Sequence, residues 1–142
     1  HQGNGTAQIF SNDPSVFTFS MHGAGNYPFR KEQSDLDIAL KDGTGDDEYL
    51  KILKTTLPRL IREQRPDFIF YLSGVDIVAT DKLGRLSCTP EGCKERERYV
   101  LESCKDLQIP IQICMGGGNS PDIILIIEAH ANTYRMAQEI YF

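Results

Sequence analysis

The sequence predicts an α/β fold, a parallel sheet with helices on both faces, and three observations carry that expectation. Strand-like and helix-like segments alternate along the chain. The run Asp67-Phe68-Ile69-Phe70-Tyr71-Leu72 is almost continuously apolar, as in a central parallel strand covered on both sides. A helix-opening signal, Thr89-Pro90-Glu91-Gly92, follows it at a crossover distance, with threonine as N-cap and proline in the first helical position. The resulting order of strand, helix, strand, helix, strand, helix is that of parallel strands joined by right-handed crossovers.

Each element has its own local reason. Val16-Phe17-Thr18-Phe19-Ser20-Met21 is rich in β-branched and aromatic residues and reads as a strand. A polar loop follows through Gly23, Gly25, Pro28 and the charged run Arg30-Lys31-Glu32. Asp35 to Leu40 alternates apolar and polar residues as a short strand does, and Lys41-Asp42-Gly43-Thr44-Gly45 is a turn. A helix is expected from Asp46 to Gln64. Thr44, Asp46 and Asp47 suit its positive N-terminal end, and Tyr49, Leu50, Leu53, Leu57, Leu60 and Ile61 recur on one face. Pro58 inside that span implies a kink or two helical pieces. After the strand at 67–72 and a loop from Ser73 to Cys88, the helix opened by Thr89 runs to about Asp106. Ile109 to Cys114 forms the third strand of the alternation. Met115-Gly116-Gly117-Gly118-Asn119-Ser120 is a glycine loop, and a last helix spans about Pro121 to Tyr141.

The chain has 142 residues, which fits one domain, 1–142. Its 40% hydrophobic and 25% charged content are ordinary for a globular chain. A net charge of -5 supplies no field to hold a polyanion, so neither nucleic acid nor an acidic membrane surface is an expected partner. The four cysteines, Cys88, Cys93, Cys104 and Cys114, form no CxxC pair and read as reduced thiols of a cytoplasmic protein. No apolar stretch approaches transmembrane length, and no signal peptide is visible. The chain opens on His1 rather than Met, and its first residues read as the middle of a longer segment.

In open parallel sheets, ligands bind outside the carboxyl ends of the strands. Two loops lie there, one carrying Asp76 and one ending in Asn119. Taken alone, an Asp just past a strand is more often a turn or capping residue, and Asn beside Gly118 is a common turn residue.

Four segments together narrow the reading. His1-Gln2-Gly3-Asn4-Gly5-Thr6 is similar to the end of an Asp-x-His-x-Gly-Asn-Gly-Thr motif. Ser73-Gly74-Val75-Asp76, Asp81-Lys82-Leu83-Gly84-Arg85-Leu86-Ser87 and Met115-Gly116-Gly117-Gly118 follow in register. In this order they resemble the C-terminal part of the catalytic domain of the histone deacetylase superfamily, in its class IV-like or bacterial forms. The resemblance covers essentially the whole chain. It implies the three-layer arginase/deacetylase-like fold and a zinc-dependent amide hydrolase that removes acyl groups from acylated lysine in a peptide or from a small acyl-amine.

The resemblance also assigns residues. His1 and Asp76 correspond to two of three zinc ligands, the third being an Asp two positions before His1. Three ligands leave one position open for water or substrate, as catalytic zinc requires; two alone would hold zinc poorly. Gly117 and Gly118 border the substrate, and Asn119 stands where the family usually has the tyrosine that donates to the oxyanion. Tyr27 matches an aromatic wall of the acyl-lysine channel. A structural potassium is implied at the backbone oxygens of Phe10, Asp13 and Val16, with a second near Ser20 and Met21. Asn4 matches the residue that orients one member of the family's tandem histidine base. His22 and His130 are not adjacent to any other histidine, so that base is expected upstream of this chain, and the 142 residues by themselves are expected to be inactive. His22 reads as a hydrogen-bonded structural residue or part of the site floor, and His130 as structural.

Two functional classes remain open on the sequence: the zinc-dependent deacylase, and a catalytically impaired deacetylase-like domain that binds or scaffolds, which Asn119 favours. A di-manganese arginase-like reading is discounted because Gly3-Asn4 lacks the second carboxylate such sites need. If neighbouring strands are missing, the bare sheet edge is expected to promote self-association.

Overall fold

A computed structural model describes residues 1–142. Its elements are α1 (Asn4–Ile9), β1 (Phe19–Gly23), β2 (Leu36–Leu40), α2 (Asp46–Gln64), β3 (Ile69–Ser73), α3 (Pro90–Asp106), β4 (Ile111–Met115) and α4 (Ile123–Tyr141). The architecture is α/β with parallel strands, as the alternation predicts. The strands pair as two separate parallel couples, β1 with β2 and β3 with β4, instead of forming one continuous ladder.

What joins the couples is the 74–88 segment. Gly43 N donates to Arg85 O at 2.8 Å and Ser87 N to Thr44 O at 2.8 Å, while Val75 N donates to Gly117 O at 3.0 Å. Val75, Ile77, Val78, Leu86 and Cys88 from this segment are all buried, in one core with Leu40 of β2, Tyr49 and Leu53 of α2, Cys93 and Val100 of α3, and Ile126 and Ala129 of α4. The core therefore lies at the carboxyl ends of the strands, directly beneath the loops that carry Asp76 and the glycines.

Local signals set most helix ends. Thr89 caps α3 by accepting from Gly92 N at 3.0 Å, with Pro90 at the first helical position. Asp122, one residue after the expected start, caps α4 through Ile124 N and Leu125 N at 3.0 and 3.2 Å. Asp46, at the start of α2, accepts Thr89 N and Oγ1 at 2.9 and 2.6 Å, so one carboxylate serves the ends of two helices. Pro58 does not divide α2. It withholds an N–H from the Lys54 carbonyl, and the Tyr99 hydroxyl of α3 donates to that carbonyl at 3.3 Å. The cost of an interior proline is thus partly offset by tertiary contact.

The first strand starts at Phe19, three residues after the predicted position, because Thr18 is occupied in a reciprocal link to Asp35. Thr18 N and Oγ1 donate to Asp35 Oδ2 at 2.7 and 2.8 Å, and Asp35 N donates to Thr18 Oγ1 at 3.0 Å. These bonds from the Thr18 amide and hydroxyl hold the Asp35 carboxyl below the usual carboxylate range. The link sets the β1–β2 register in which Phe19 faces Leu36.

The expectation that 67–72 is covered on both faces is corrected. Tyr71 and Ser73 face the helices, Ser73 Oγ lying 3.1 Å from Thr133 Oγ1 of α4. Phe70, 69% exposed, and Leu72 point the other way, where no element of this chain packs. An apolar run marks a strand but cannot say which of its faces the same chain covers.

All four cysteines are free thiols, and Cys88, Cys93 and Cys104 are buried. Burial pushes Cys88 up to about 12 and Cys104 up to about 11, and raises Cys93 as well. Since the thiolate is the nucleophile, native protein at pH 8 is expected to be alkylated by iodoacetamide at half-buried Cys114 and to spare the other three. Peptide mass spectrometry checks this; labelling of Cys88 or Cys104 without denaturant would contradict it.

Candidate metal centre

The amino-terminal segment is fastened to the β1–β2 couple by a side chain. Gln2 is buried; its Nε2 donates to Glu32 O at 2.6 Å and Asp37 Oδ1 at 3.0 Å, while its Oε1 accepts from Glu32 N at 3.0 Å. Gly3 N donates to Ser20 Oγ at 3.3 Å. The next residues form the short helix α1, which sequence reasoning missed because Asn4-Gly5-Thr6 is a poor helix former. These anchors bring His1 to the carboxyl end of β3, where His1 Nδ1 lies 2.5 Å from Asp76 Oδ2.

Asp76 is 6% exposed and flanked by glycines. A Cβ on Gly74 would come within 2.7 Å of Asp76 Oδ1, and one on Gly117 within 3.2 Å of Oδ2. Side chains at either position would collide with the carboxylate, so the glycines form a cradle in which the backbone closes around it. Gly118 has φ +153, in the region that favours glycine, and a Cβ there would lie 2.6 Å from Val75 Cγ2.

An imidazole nitrogen and a carboxylate oxygen are donor types that zinc, a borderline-soft ion, accepts. His1 and Asp76 are the residues that fit it. No group of three or more His, Cys, Asp or Glu side chains converges within residues 1–142.

The histone deacetylase domain model matches residues 1–133. The chain belongs to the histone deacetylase family. It is 44% identical over 141 residues to an uncharacterised protein of Picosynechococcus, covering 99% of this chain and 47% of that protein. It is 31% identical over 121 residues to histone deacetylase 2 of Arabidopsis thaliana, covering 83% of this chain and 31% of the relative. It is 30% identical over 139 residues to the acetoin utilization protein AcuC of Staphylococcus aureus, covering 89% of this chain and 36% of the relative. The fold is shared with the crystal structure of the HDA15 HD domain at a TM-score of 0.77 and 22% identity, over 99% of this chain and 42% of that one. The chain thus spans less than half the length of these relatives.

Within this deacetylase-family chain, the other predicted positions are dispersed around the cradle or away from it. Asn119 is exposed; its N–H donates to Asp81 Oδ2 at 2.5 Å and its carbonyl accepts from Lys82 N at 3.0 Å. Tyr27 is 71% exposed, in edge contact with Phe29 at 6.2 Å between ring centroids. Lys31 supports that loop from beneath, donating to Asn26 O at 2.5 Å and Pro28 O at 2.6 Å. Phe10, Asp13 and Val16 line one surface cavity of about 330 Å³, whereas Ser20 and Met21 lie in β1 outside it. Ser20 Oγ is 3.0 Å from Nδ1 of buried His22, and Asp37 lies 3.9 Å from the same nitrogen. Burial lowers the His22 pKa despite that carboxylate. His22 is therefore a buried histidine hydrogen-bonded within β1. His130 Nδ1 is buried without a partner in α4.

Two residues around the site were not singled out in the sequence. Asp81, 8% exposed, accepts Leu83 N and Gly84 N on Oδ1 at 2.9 and 2.6 Å, and Asn119 N on Oδ2. It ties the glycine loop to the Asp76 segment. Its local signal is the Asp-x-x-Gly spacing of an Asx turn; the distant half of its role has no local trace. The other is Arg96, whose signal is its position. Cys93, Arg96, Glu97, Val100, Leu101 and Cys104 are the buried stripe of α3, so two charges occupy core positions.

Proposed function

We propose that this chain contributes the His1 and Asp76 ligands and the glycine-loop border of a zinc-dependent amide hydrolase acting on acylated lysine or a related acyl-amine. The observation that carries the reading is the meeting of His1 Nδ1 and Asp76 Oδ2 at 2.5 Å, across 75 residues of sequence, in a cradle formed by glycines. Family membership supports the same chemistry.

When bound, zinc polarises an acyl carbonyl and lowers the pKa of the attacking water. The chain's own residues bind, orient and border. Asp76 presents a carboxylate with little access to bulk water. Gln2 holds the His1 segment against β2, fixing where the imidazole-bearing residue sits relative to the sheet. Gly117 and Gly118 allow substrate to approach the carboxylate closely, and Asn119, tethered through its N–H to Asp81, stands at the rim. The exposed Tyr27–Phe29 pair offers an apolar surface for the methylene stem of a lysine. Potassium at the carbonyls of Phe10, Asp13 and Val16 is part of the same proposal, supported by their shared cavity.

A second reading, a deacetylase-like domain that binds acylated lysine without turning it over, is favoured by Asn119 alone. Its amide can donate, but its side chain is much shorter than a tyrosine's. One assay separates the two. The complete gene product carrying this chain is expected to release acyl groups from acetyl- or longer acyl-lysine peptides, and a chelator should stop it. Bound zinc without turnover would sink the hydrolase. Asn119→Tyr is expected to raise the rate by about 10²–10³, the usual worth of one oxyanion donor. An unchanged rate would remove Asn119 from the oxyanion position.

A further inference from the structure

The deepest ion pair in the chain takes no part in the chemistry above. Arg96 is 5% and Glu97 0% exposed, in the stripe of α3 that packs beneath the Asp76 loop. Arg96 Nε donates to Glu97 Oε1 at 3.0 Å, and Nη2 contacts the same oxygen and Cys93 Sγ. Arg96 Nη1 leaves the helix altogether and donates to the Gly74 carbonyl at 2.7 Å.

Stability does not account for this pair. Desolvating two charges is costly, and well-packed apolar residues in their place are often neutral or better. The network is also incompletely satisfied: Glu97 Oε2 and the Tyr71 hydroxyl are buried without partners. What the pair does provide is a fixed donor aimed at one backbone oxygen, two residues before Asp76. The same stretch is gripped from the other side by the glycine loop. Val75 N donates to Gly117 O at 3.0 Å, and a Cβ on Gly116 would come within 2.6 Å of Gly74 Cα. Held between α3 and the glycine loop, the Gly74–Asp76 backbone has little freedom to rotate the carboxylate out of the cradle.

We infer that Arg96 is a positioning residue for the metal centre: its Nη1, oriented by Glu97, clamps the Gly74 carbonyl and so aims the Asp76 carboxylate into the cradle beside Gly117. The inference rests on the reading of Asp76 as a zinc ligand. Arg96 touches neither the cradle nor a substrate, and acts through the backbone alone.

The test uses the complete gene product with Arg96→Met/Glu97→Leu, which removes both charges and keeps the volume, and with Arg96→Lys, which keeps the charge but not the planar fork. Thermal melting, amide hydrogen exchange at Val75 and Asp76, and the rate of zinc release to a chelator are measured. Exchange at Val75 and Asp76 is expected to accelerate about tenfold or more in the double variant while the melting temperature stays close to that of the native protein. Zinc release should accelerate by about 10–100-fold, the usual effect of losing a partner that orients a ligand. Arg96→Lys should fall between native and double variant in both. A merely structural pair would lower the melting temperature without singling out these two amides. Native-like exchange at Val75 and Asp76 in either folded variant overturns the clamp. Because that readout needs no metal, it is decided separately from the zinc reading, which fails if the native protein binds no zinc.

Discussion

Asp76→Ala in the complete gene product is expected to abolish stoichiometric zinc binding and, with it, acyl-lysine hydrolysis. The loss should exceed the roughly 10–100-fold that follows from disturbing an outer partner of a ligand, because a ligand itself is removed. Within residues 1–142 no other carboxylate or thiol can substitute. No third His, Cys, Asp or Glu joins His1 and Asp76 at the cradle, and Asp81 spends its oxygens on three backbone amides. Folding should survive, since the Asp76 carboxylate hydrogen-bonds to His1 and to no other residue of the chain. Glu63→Gln is the matching control, removing a carboxylate from an exposed i,i+4 pair with Arg59 that is worth little. Metal content by elemental analysis and turnover on an acyl-lysine peptide are the readouts. Full zinc occupancy in folded Asp76→Ala would remove Asp76 from the ligand set.

Gly116→Ala is expected to be a strongly damaging single-methyl change. Its Cβ would sit 2.6 Å from Gly74 Cα, 2.8 Å from Gly74 N and 3.4 Å from the Ser73 carbonyl carbon. All three are backbone atoms, so no rotamer can relieve the overlap. The ends of β3 and β4, paired through Ser73 and Met115, must separate. Overpacking of this kind costs about 1–3 kcal/mol, a fall in melting temperature of roughly 2–12 °C for a domain of about this size or larger. Zinc affinity should fall with it, because the separated segment carries Asp76. Gly5→Ala is the contrast: nothing lies within 4 Å of its Cβ, and an alanine inside α1 should hold or raise the melting temperature. A Gly116→Ala protein that melts with the native one would mean the two loops are not in the close contact described.

Much of the architecture was readable from short-range pattern. The start and end of α2 and the start of α3 fall where the acidic first turn, the Thr89-Pro90 signal and the 3–4 residue spacing place them. The rule that parallel strands present ligands at their carboxyl ends points to the Asp76 and Asn119 loops independently of any relative, and both loops border the cradle. Other features were hidden for definite reasons. Pro58 looked like a break because its compensating donor, the Tyr99 hydroxyl, is 41 residues away on another helix. The strand at 69–73 looked buried on both faces because hydrophobicity records what a segment can bury, not what covers it.

The sequence by itself determined the order and type of the elements after α1, the opening signals of α2 and α3, and the loop that carries Asp76. These follow from interactions spanning three or four residues, or from alternation along one strand, and they need no knowledge of what packs against what. The tertiary structure alone decided that the strands pair as two couples bridged by the 74–88 segment. It alone brought His1 onto Asp76, turned Asp81 into a tether between loops, and buried Arg96 and Glu97 against Gly74. Each of these is a contact between residues far apart in the chain. Its free energy depends on the desolvated surroundings that packing creates, and so it leaves no trace in the spacing of residues along the chain.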